Sequence, residues 1–145
     1  MNSEILNRLI SNSILELRTK AFISENKMVC DNIITYFRII SNVWICLYIS
    51  DGVITLKYVP EPALTTDFKN NDFAYRILKY DWKFTFKIRK ISYVVSKSNQ
   101  AHYFGLLLVF EDNQSISFLD DDGCILIGPI EPWLWNCEVK EINAI

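Results

Sequence analysis

The strongest fold signal in the chain lies in residues 43–58, which read VWICLYISDGVITLKY. The first seven residues of this run are apolar on both alternating faces, which is typical of a strand covered on each side. Asp51 and Gly52 then separate this strand from a second stretch in which apolar and polar residues alternate. Because Asp-Gly between two such runs favours a tight turn, the segment predicts an antiparallel hairpin, which Pro60 and Pro62 end.

Further strands are predicted toward the C-terminus. Residues 102–110 are again apolar on both faces and predict a central strand, and residues 115–119 predict the strand that returns beside it. Residues 124–127 follow an acidic turn and predict another strand. The tail, residues 130–145, is too apolar to be left in solvent, so we expect it to pack back as an extended or terminal strand.

One stretch predicts a local irregularity. The apolar positions in residues 84–95 are even-numbered before Arg89 and Lys90 and odd-numbered after them. A strand cannot change faces in this way without an extra residue, so the sequence predicts a β-bulge or a sharp bend at this point. Phe84 and Phe86 lie opposite the basic side chains, so we expect both rings in the core.

The N-terminal half is harder to interpret. Residues 1–20 place apolar side chains at helical spacing and predict an amphipathic helix. Within residues 21–42, the run 33–40 favours a strand, with a helix from Asp31 as the alternative. Residues 60–81 predict the longest irregular stretch, including Asp67, Asn70, Asn71 and Asp72, with a short helix within residues 73–80.

The whole pattern predicts an α+β fold: an antiparallel meandering sheet of five to seven strands with an N-terminal helix packed on one face. The length of 145 residues suits a single domain, residues 1–145, and no internal repeat is evident. The longest apolar run is too short to cross a bilayer, and the N-terminus carries charges unlike a secretory signal. The four cysteines form no C-x-x-C pair. We therefore expect reduced thiols, packed as small apolar groups, in a soluble cytoplasmic protein.

Catalytic and metal-binding patterns are weak in this sequence. His102 is the single histidine and begins a predicted strand, which favours a structural role over general base catalysis. The acidic turn lacks the ligand spacing of a calcium loop, and no glycine-rich phosphate loop is present. The sequence therefore predicts no catalytic residue, no metal site and no cofactor, although carboxylates from distant strands remain an alternative.

The charges are unevenly distributed along the chain. Residues 76–97 contain seven basic residues and one acid, whereas residues 111–141 contain eight acids and one lysine. One interpretation is that neighbouring strands pair these charges across the sheet. The other is that the acidic loops gather on one edge and meet a basic partner. The net charge of -2 and the pI of about 5.4 argue against nucleic acid as the main partner of the chain.

The chain resembles the small cognate immunity proteins of bacterial contact-dependent or polymorphic toxin systems in its size, low pI and two acidic turns, Glu111-Asp112-Asn113-Gln114 and Asp120-Asp121-Asp122-Gly123. The resemblance implies neutralisation of a toxin domain with a basic cleft, often a nuclease. The charge balance and the short apolar runs predict no nucleic-acid and no membrane partner. Two alternatives are an adaptor or subunit of a bacterial complex and a small carboxylate-dependent enzyme. The candidate partner-binding residues are Glu111, Asp112, Asp120, Asp121, Asp122 and Glu131, with Trp133 as an aromatic anchor.

Overall fold

The structure is a computed structural model that describes residues 3–66 and 73–142. It has one α-helix, one short 3-10 helix (Glu131–Trp133) and ten strands in these residues. The bounds are α1 (Ser3–Leu9), β1 (Ile14–Ser24), β2 (Lys27–Ile39), β3 (Val43–Ser50), β4 (Val53–Val59), β5 (Phe73–Tyr80), β6 (Ile88–Ser96), β7 (Tyr103–Phe110), β8 (Ser115–Asp121), β9 (Cys124–Gly128) and β10 (Cys137–Glu141).

The strands form two five-stranded antiparallel sheets that pack face to face. Sheet 1 has the order β4-β3-β2-β1-β5 and sheet 2 the order β10-β6-β7-β8-β9. The prediction of a mainly antiparallel sheet with an N-terminal helix is confirmed, but the prediction of five to seven strands in one sheet is wrong. Alternating patterns mark each strand, and they do not specify which strands share a sheet.

The two sheets have the same topology. In each, four consecutive strands form a meander, and the chain then crosses over to add a fifth strand beside the first. Each first strand also begins with a bulge, between Ile14 and Glu16 in β1 and between Ile88 and Lys90 in β6. The bulge predicted at Arg89 is thus confirmed, and the fold contains a repeat that the sequence does not reveal.

The predicted N-terminal helix is much shorter than expected. The helix α1 ends at Leu9, Ser11 takes a φ of 70°, and β1 begins at Ile14. The bulge in β1 explains the misleading pattern, because its extra residue brings both Ile14 and Leu17 into the core. Two inward residues three apart therefore imitate the spacing of a helix. Instead of lying on one sheet, the apolar face of α1 joins the core between the sheets.

Two other segments also differ from the predictions. The suggested short helix within residues 73–80 is strand β5, which pairs along its whole length with β1, so that tertiary pairing overrides local preference. Residues 81–87 form no strand: Phe84 stacks on Phe110, as expected, but Phe86 is 52% exposed. Strand β2 covers the run 33–40 up to Ile39, as favoured. Asp67, Asn70, Asn71 and Asp72 lie outside the described residues.

The central core lies between the sheets. Phe37 of sheet 1 meets Phe118 of sheet 2 edge-to-face, with ring centroids 5.2 Å apart. Both rings are almost fully buried. Aromatic pairs of this geometry contribute about 0.5–1.5 kcal/mol beyond the burial of their surface. The core thus fixes how the two sheets face each other and which strand ends meet.

Each sheet is also covered on its outer face, by the segment that crosses to its fifth strand. The first crossover segment (residues 60–66) runs from β4 toward β5, and the buried Arg18 of β1 hydrogen-bonds to the Pro62 carbonyl oxygen within it. The second crossover segment (residues 129–136) runs from β9 to β10 and buries Ile130 on sheet 2. Each sheet is therefore covered on both faces, which explains why its strands carry apolar residues on both faces.

Candidate functional site

The predicted acidic residues fall on two separate surfaces. Glu111 and Asp112 lie in the turn before β8, whereas Asp120, Asp121 and Asp122 lie at the other end of β8 and in the turn that follows. A strand of seven residues separates the two turns by roughly 20 Å. The acidic turns therefore do not gather on one edge of the sheet, and each must be considered on its own surroundings.

The first of these turns lies among basic residues. The Glu111 amide donates to the Lys87 carbonyl oxygen, at 2.9 Å, and Asp112 lines a cleft of about 200 Å³ together with Lys83. Arg89 donates to the Asn113 side chain at 3.2 Å. This end of sheet 2 therefore carries basic and acidic residues side by side, and within the described residues neither Glu111 nor Asp112 takes part in an ion pair.

The second turn is tight and strongly acidic. Asp122 and Gly123 both take positive φ, 54° and 87°, which gives the turn its hairpin geometry. The Gly123 amide donates to Oδ1 of Asp120 at 2.9 Å. Burial and the charges of Asp121 and Asp122 raise the pKa of Asp120, although the Gly123 hydrogen bond and the charge of His102 partly oppose this. Burial is the largest cause of this raised pKa, and the two neighbouring carboxylates add to it.

Tertiary structure brings a second hairpin turn to this place. The His102 ring packs against Gly52, where an added Cβ would lie 2.6 Å from Nδ1, and the Tyr103 amide donates to the Gly52 carbonyl oxygen at 3.0 Å. Asp51 belongs to this turn. His102 also contacts the Phe104 ring, with centroids 4.9 Å apart. These contacts agree with a structural role for the histidine.

The start of β2 completes the same surface. Oδ1 of Asp31 lies 3.7 Å from Sγ of Cys124, the residue paired with Asp121. We name the resulting surface the acidic end and define it by five side chains: Asp31, Asp51, Asp120, Asp121 and Asp122. The sequence analysis missed Asp31 and Asp51. Extending the β2–β3 register beyond Thr35 and Leu47 places Asp31 opposite Asp51. This register comes from the structure, and no local pattern in the sequence indicates it.

A disulfide joins the two sheets at the acidic end. Cys30 of β2 and Cys124 of β9 are bonded, with Cα atoms 5.8 Å apart and a sequence separation of 94. The expectation of four reduced thiols is therefore wrong for this pair, because sequence separation conceals their proximity. Cys46 and Cys137 are free and buried, as expected, and burial raises the pKa of both thiols.

The remaining candidates lie on the outer face of sheet 2. Glu131 and Trp133 belong to the 3-10 helix of the second crossover segment. Trp133 is partly buried against the apolar cluster beneath it, which limits how far the ring can reach a partner. Trp135, which the sequence analysis did not select, is 75% exposed. An exposed tryptophan is a better anchor for a partner than a packed one.

Comparison with known proteins adds no assignment. No protein-family model matches the chain, and neither curated proteins nor solved structures include a significant match. No helix in residues 3–66 or 73–142 has the length and apolar character that a membrane crossing requires.

Proposed function

We propose that this chain is a non-catalytic binding protein whose acidic end covers a basic site on a partner protein. The partner is a cognate toxin domain with a basic cleft, and the chain acts as its immunity protein by occluding that cleft. The observation that supports this most is that three separate segments of the chain, which together carry five aspartates, meet at one end of the sandwich.

In the described parts of the chain, no lysine or arginine pairs with the carboxylates of the acidic end. By contrast, Glu16, Glu61 and Glu141 all take part in ion pairs. Uncompensated like charges raise the free energy of the folded chain. A basic partner would relieve this repulsion on binding and would be attracted from a distance, which accelerates association.

Rigidity supports the same proposal. The two hairpin turns have positive φ at both central positions, Asp51 and Gly52 in one and Asp122 and Gly123 in the other. The disulfide then ties this end of sheet 1 to sheet 2. Side chains on such fixed turns lose little conformational entropy on binding, so more of the interaction free energy contributes to affinity.

Charge reversal with a matched control tests the proposal. The partner is captured from the source organism with the immobilised wild-type chain, identified by mass spectrometry and purified. We expect the triple variant Asp120→Lys, Asp121→Lys, Asp122→Lys to lower its association rate roughly tenfold or more at low ionic strength, with a smaller effect in high salt. Circular dichroism checks that the variant is folded.

The control reverses Glu111 and Asp112, which lie at the opposite end of the same strand and should leave the rate almost unchanged. Equal association rates for the triple variant and the wild type would contradict the acidic end as the contact surface. A captured partner without toxic activity, or one whose activity is not abolished at a 1:1 ratio, would contradict the immunity function.

A second candidate function has its own observation. Strand β10 is an edge strand of sheet 2, and Trp135 and Val139 expose apolar side chains beside it, 75% and 41% respectively. An adaptor could bind a partner strand at such an edge. In that case Val139→Pro, which cannot complete a strand pairing, would abolish capture while the Asp120–Asp122 reversal would not.

A further inference from the structure

The disulfide pair has a third polar neighbour. Sγ of Cys30, Sγ of Cys124 and a carboxylate oxygen of Asp31 all lie within 4.8 Å of one another. Asp31 is exposed and both cysteines are only partly buried, so the group is open to solvent. The three residues come from both sheets, which makes the group a junction of the fold and not a feature of one loop.

This set of atoms has the chemistry of a zinc site. Thiolates select zinc and other thiophilic ions over calcium and magnesium, and a carboxylate oxygen is a regular third ligand. With bonds of about 2.0–2.3 Å to a tetrahedral ion, ligand atoms lie roughly 3.3–3.8 Å apart. Sγ of Cys124 and Oδ1 of Asp31, 3.7 Å apart, already have this spacing. Sγ of Cys30 lies within 4.8 Å of the Asp31 carboxylate, and the two bonded sulfurs must separate on reduction.

The surroundings favour a cation as well. Cys124 pairs with Asp121 across the β8–β9 hairpin, and Asp120 and Asp122 belong to the same turn. Two thiolates added to these carboxylates would leave several negative charges together without a counter-ion. Without a metal, a pair of thiolates is unfavourable at this place because of the repulsion between negative charges. A divalent cation neutralises part of that charge, so binding of the cation is favoured.

We propose that, when the Cys30–Cys124 bond is reduced, Cys30, Asp31 and Cys124 bind one zinc-class divalent cation at the junction of the two sheets. A dithiol reductant supplies two electrons and two protons, becomes a disulfide itself, and leaves two thiols on the protein. Binding of the metal then replaces the two thiol protons, which pass to solvent. The junction stays closed in both redox states, covalently when oxidised and through the metal when reduced.

The fourth position of the ion would be open. Three protein ligands leave one tetrahedral position to water or to a group of a bound molecule, as in zinc sites that are not purely structural. This proposal does not depend on the immunity function, because it concerns the metal affinity of the chain without any partner.

Cobalt is the probe for the test. The full chain is reduced with a phosphine, the phosphine is removed under anaerobic conditions, and the reduced chain is titrated with Co²⁺. We expect one equivalent to produce the near-ultraviolet sulfur-to-cobalt absorption of a thiolate complex, which Zn²⁺ then removes. The oxidised wild-type chain, which is folded and has no free thiol at this site, should show no such absorption.

Variants locate the site. Asp31→Asn should weaken the affinity of the reduced chain for Co²⁺ at least roughly tenfold, and the Cys30→Ser, Cys124→Ser double variant should lose the absorption. Cys46→Ser and Cys137→Ser, which alter the two buried thiols elsewhere, should keep it. The proposal is overturned if the reduced wild-type chain gives no sulfur-to-cobalt absorption, or if the absorption survives in the double variant.

Discussion

The two sheets share one topology but hold their crossover segments by different forces. On sheet 1, Arg18 donates to Oε2 of Glu16 at 2.7 Å and to the Pro62 carbonyl oxygen at 2.6 Å, and its guanidinium lies 4.5 Å from the centroid of the Trp44 ring. On sheet 2, the position equivalent to Arg18, counted from the bulge, is Ser92. There Ile130 and its apolar neighbours make the attachment.

This difference shows that the same backbone topology can be stabilised by a polar, charged attachment in one sheet and by an apolar attachment in the other. A buried ion pair gains little over a well-packed apolar contact, because both charges lose their hydration. It becomes costly only when one partner is removed and the other remains buried. The apolar attachment depends on surface burial and packing, which pH and salt hardly affect. The predictions that follow separate these two kinds of attachment.

The largest effect is expected for Arg18→Met. The variant leaves the Glu16 carboxylate, with a side chain only 12% exposed, without its closest cation. We expect the free energy of unfolding to fall by about 3–5 kcal/mol, measured by urea denaturation. Arg38→Met is the control, since Arg38 is more exposed and its Nε lies 3.4 Å from the same carboxylate. Equal losses for both variants would show that the buried network is not what holds the first crossover segment.

Truncation of Ile130 should have the next largest effect. Ile130→Ala removes buried surface between the second crossover segment and sheet 2, and we expect a loss of about 2–4 kcal/mol in the free energy of unfolding. Leu134 belongs to the same segment but is 40% exposed, so Leu134→Ala should lower the free energy of unfolding much less. The loss at Ile130 should not change with salt; a strong salt dependence would count against a purely apolar attachment.

The pH dependence of the free energy of unfolding provides a smaller effect, whose direction can be predicted. Burial raises the pKa of Glu16, but the hydrogen bond from Arg18 and the charges of Arg18, Lys79 and Arg38 outweigh it and lower the pKa below 4.5. The folded chain therefore holds this proton less tightly than the unfolded chain, and the stabilisation present above pH 4.5 is lost as the pH falls through the lowered pKa. Urea denaturation across this range should show a shallower acid loss for Glu16→Gln than for the wild type. A steeper loss in the variant would contradict the assigned direction.

The smallest effect is expected at Ser92, the sheet 2 counterpart of Arg18. Its hydroxyl is buried and has no hydrogen-bond partner among the described residues. Ser92→Ala should therefore leave the free energy of unfolding unchanged or raise it by up to about 1 kcal/mol. Ser117→Ala is the control, because its hydroxyl donates to the Gly128 carbonyl oxygen at 2.7 Å and its loss should destabilise. Destabilisation by Ser92→Ala would indicate a partner such as a bound water.

The predictability of each region follows from the range of the interactions that form it. The β3–β4 hairpin, the bulge at Arg89 and the Asp122-Gly123 turn were all predicted, because neighbouring residues create these signals. The helix predicted through Ile14 and Leu17 was wrong, because a bulge between them reproduces helical spacing. Local patterns become ambiguous wherever an irregularity changes their period.

The candidate site was predicted only in part. Asp120, Asp121 and Asp122 were selected from a local cluster, and the structure keeps them together. Asp31 and Asp51 were not selected, because each is an ordinary turn or strand residue until the sheets pack. Glu111 and Asp112 were assigned to the same edge, but the length of β8 separates them from it.

The sequence by itself determined the strands β3, β4 and β6 to β9, most turns and the positions of local charge clusters, since each depends on residues that are close along the chain. Only the tertiary structure decided the division into two sheets, the joining of Cys30 to Cys124 and the gathering of carboxylates from three segments. The physical reason is that these features depend on which apolar faces pack together. Many residues share that choice, and no short pattern in the chain specifies it.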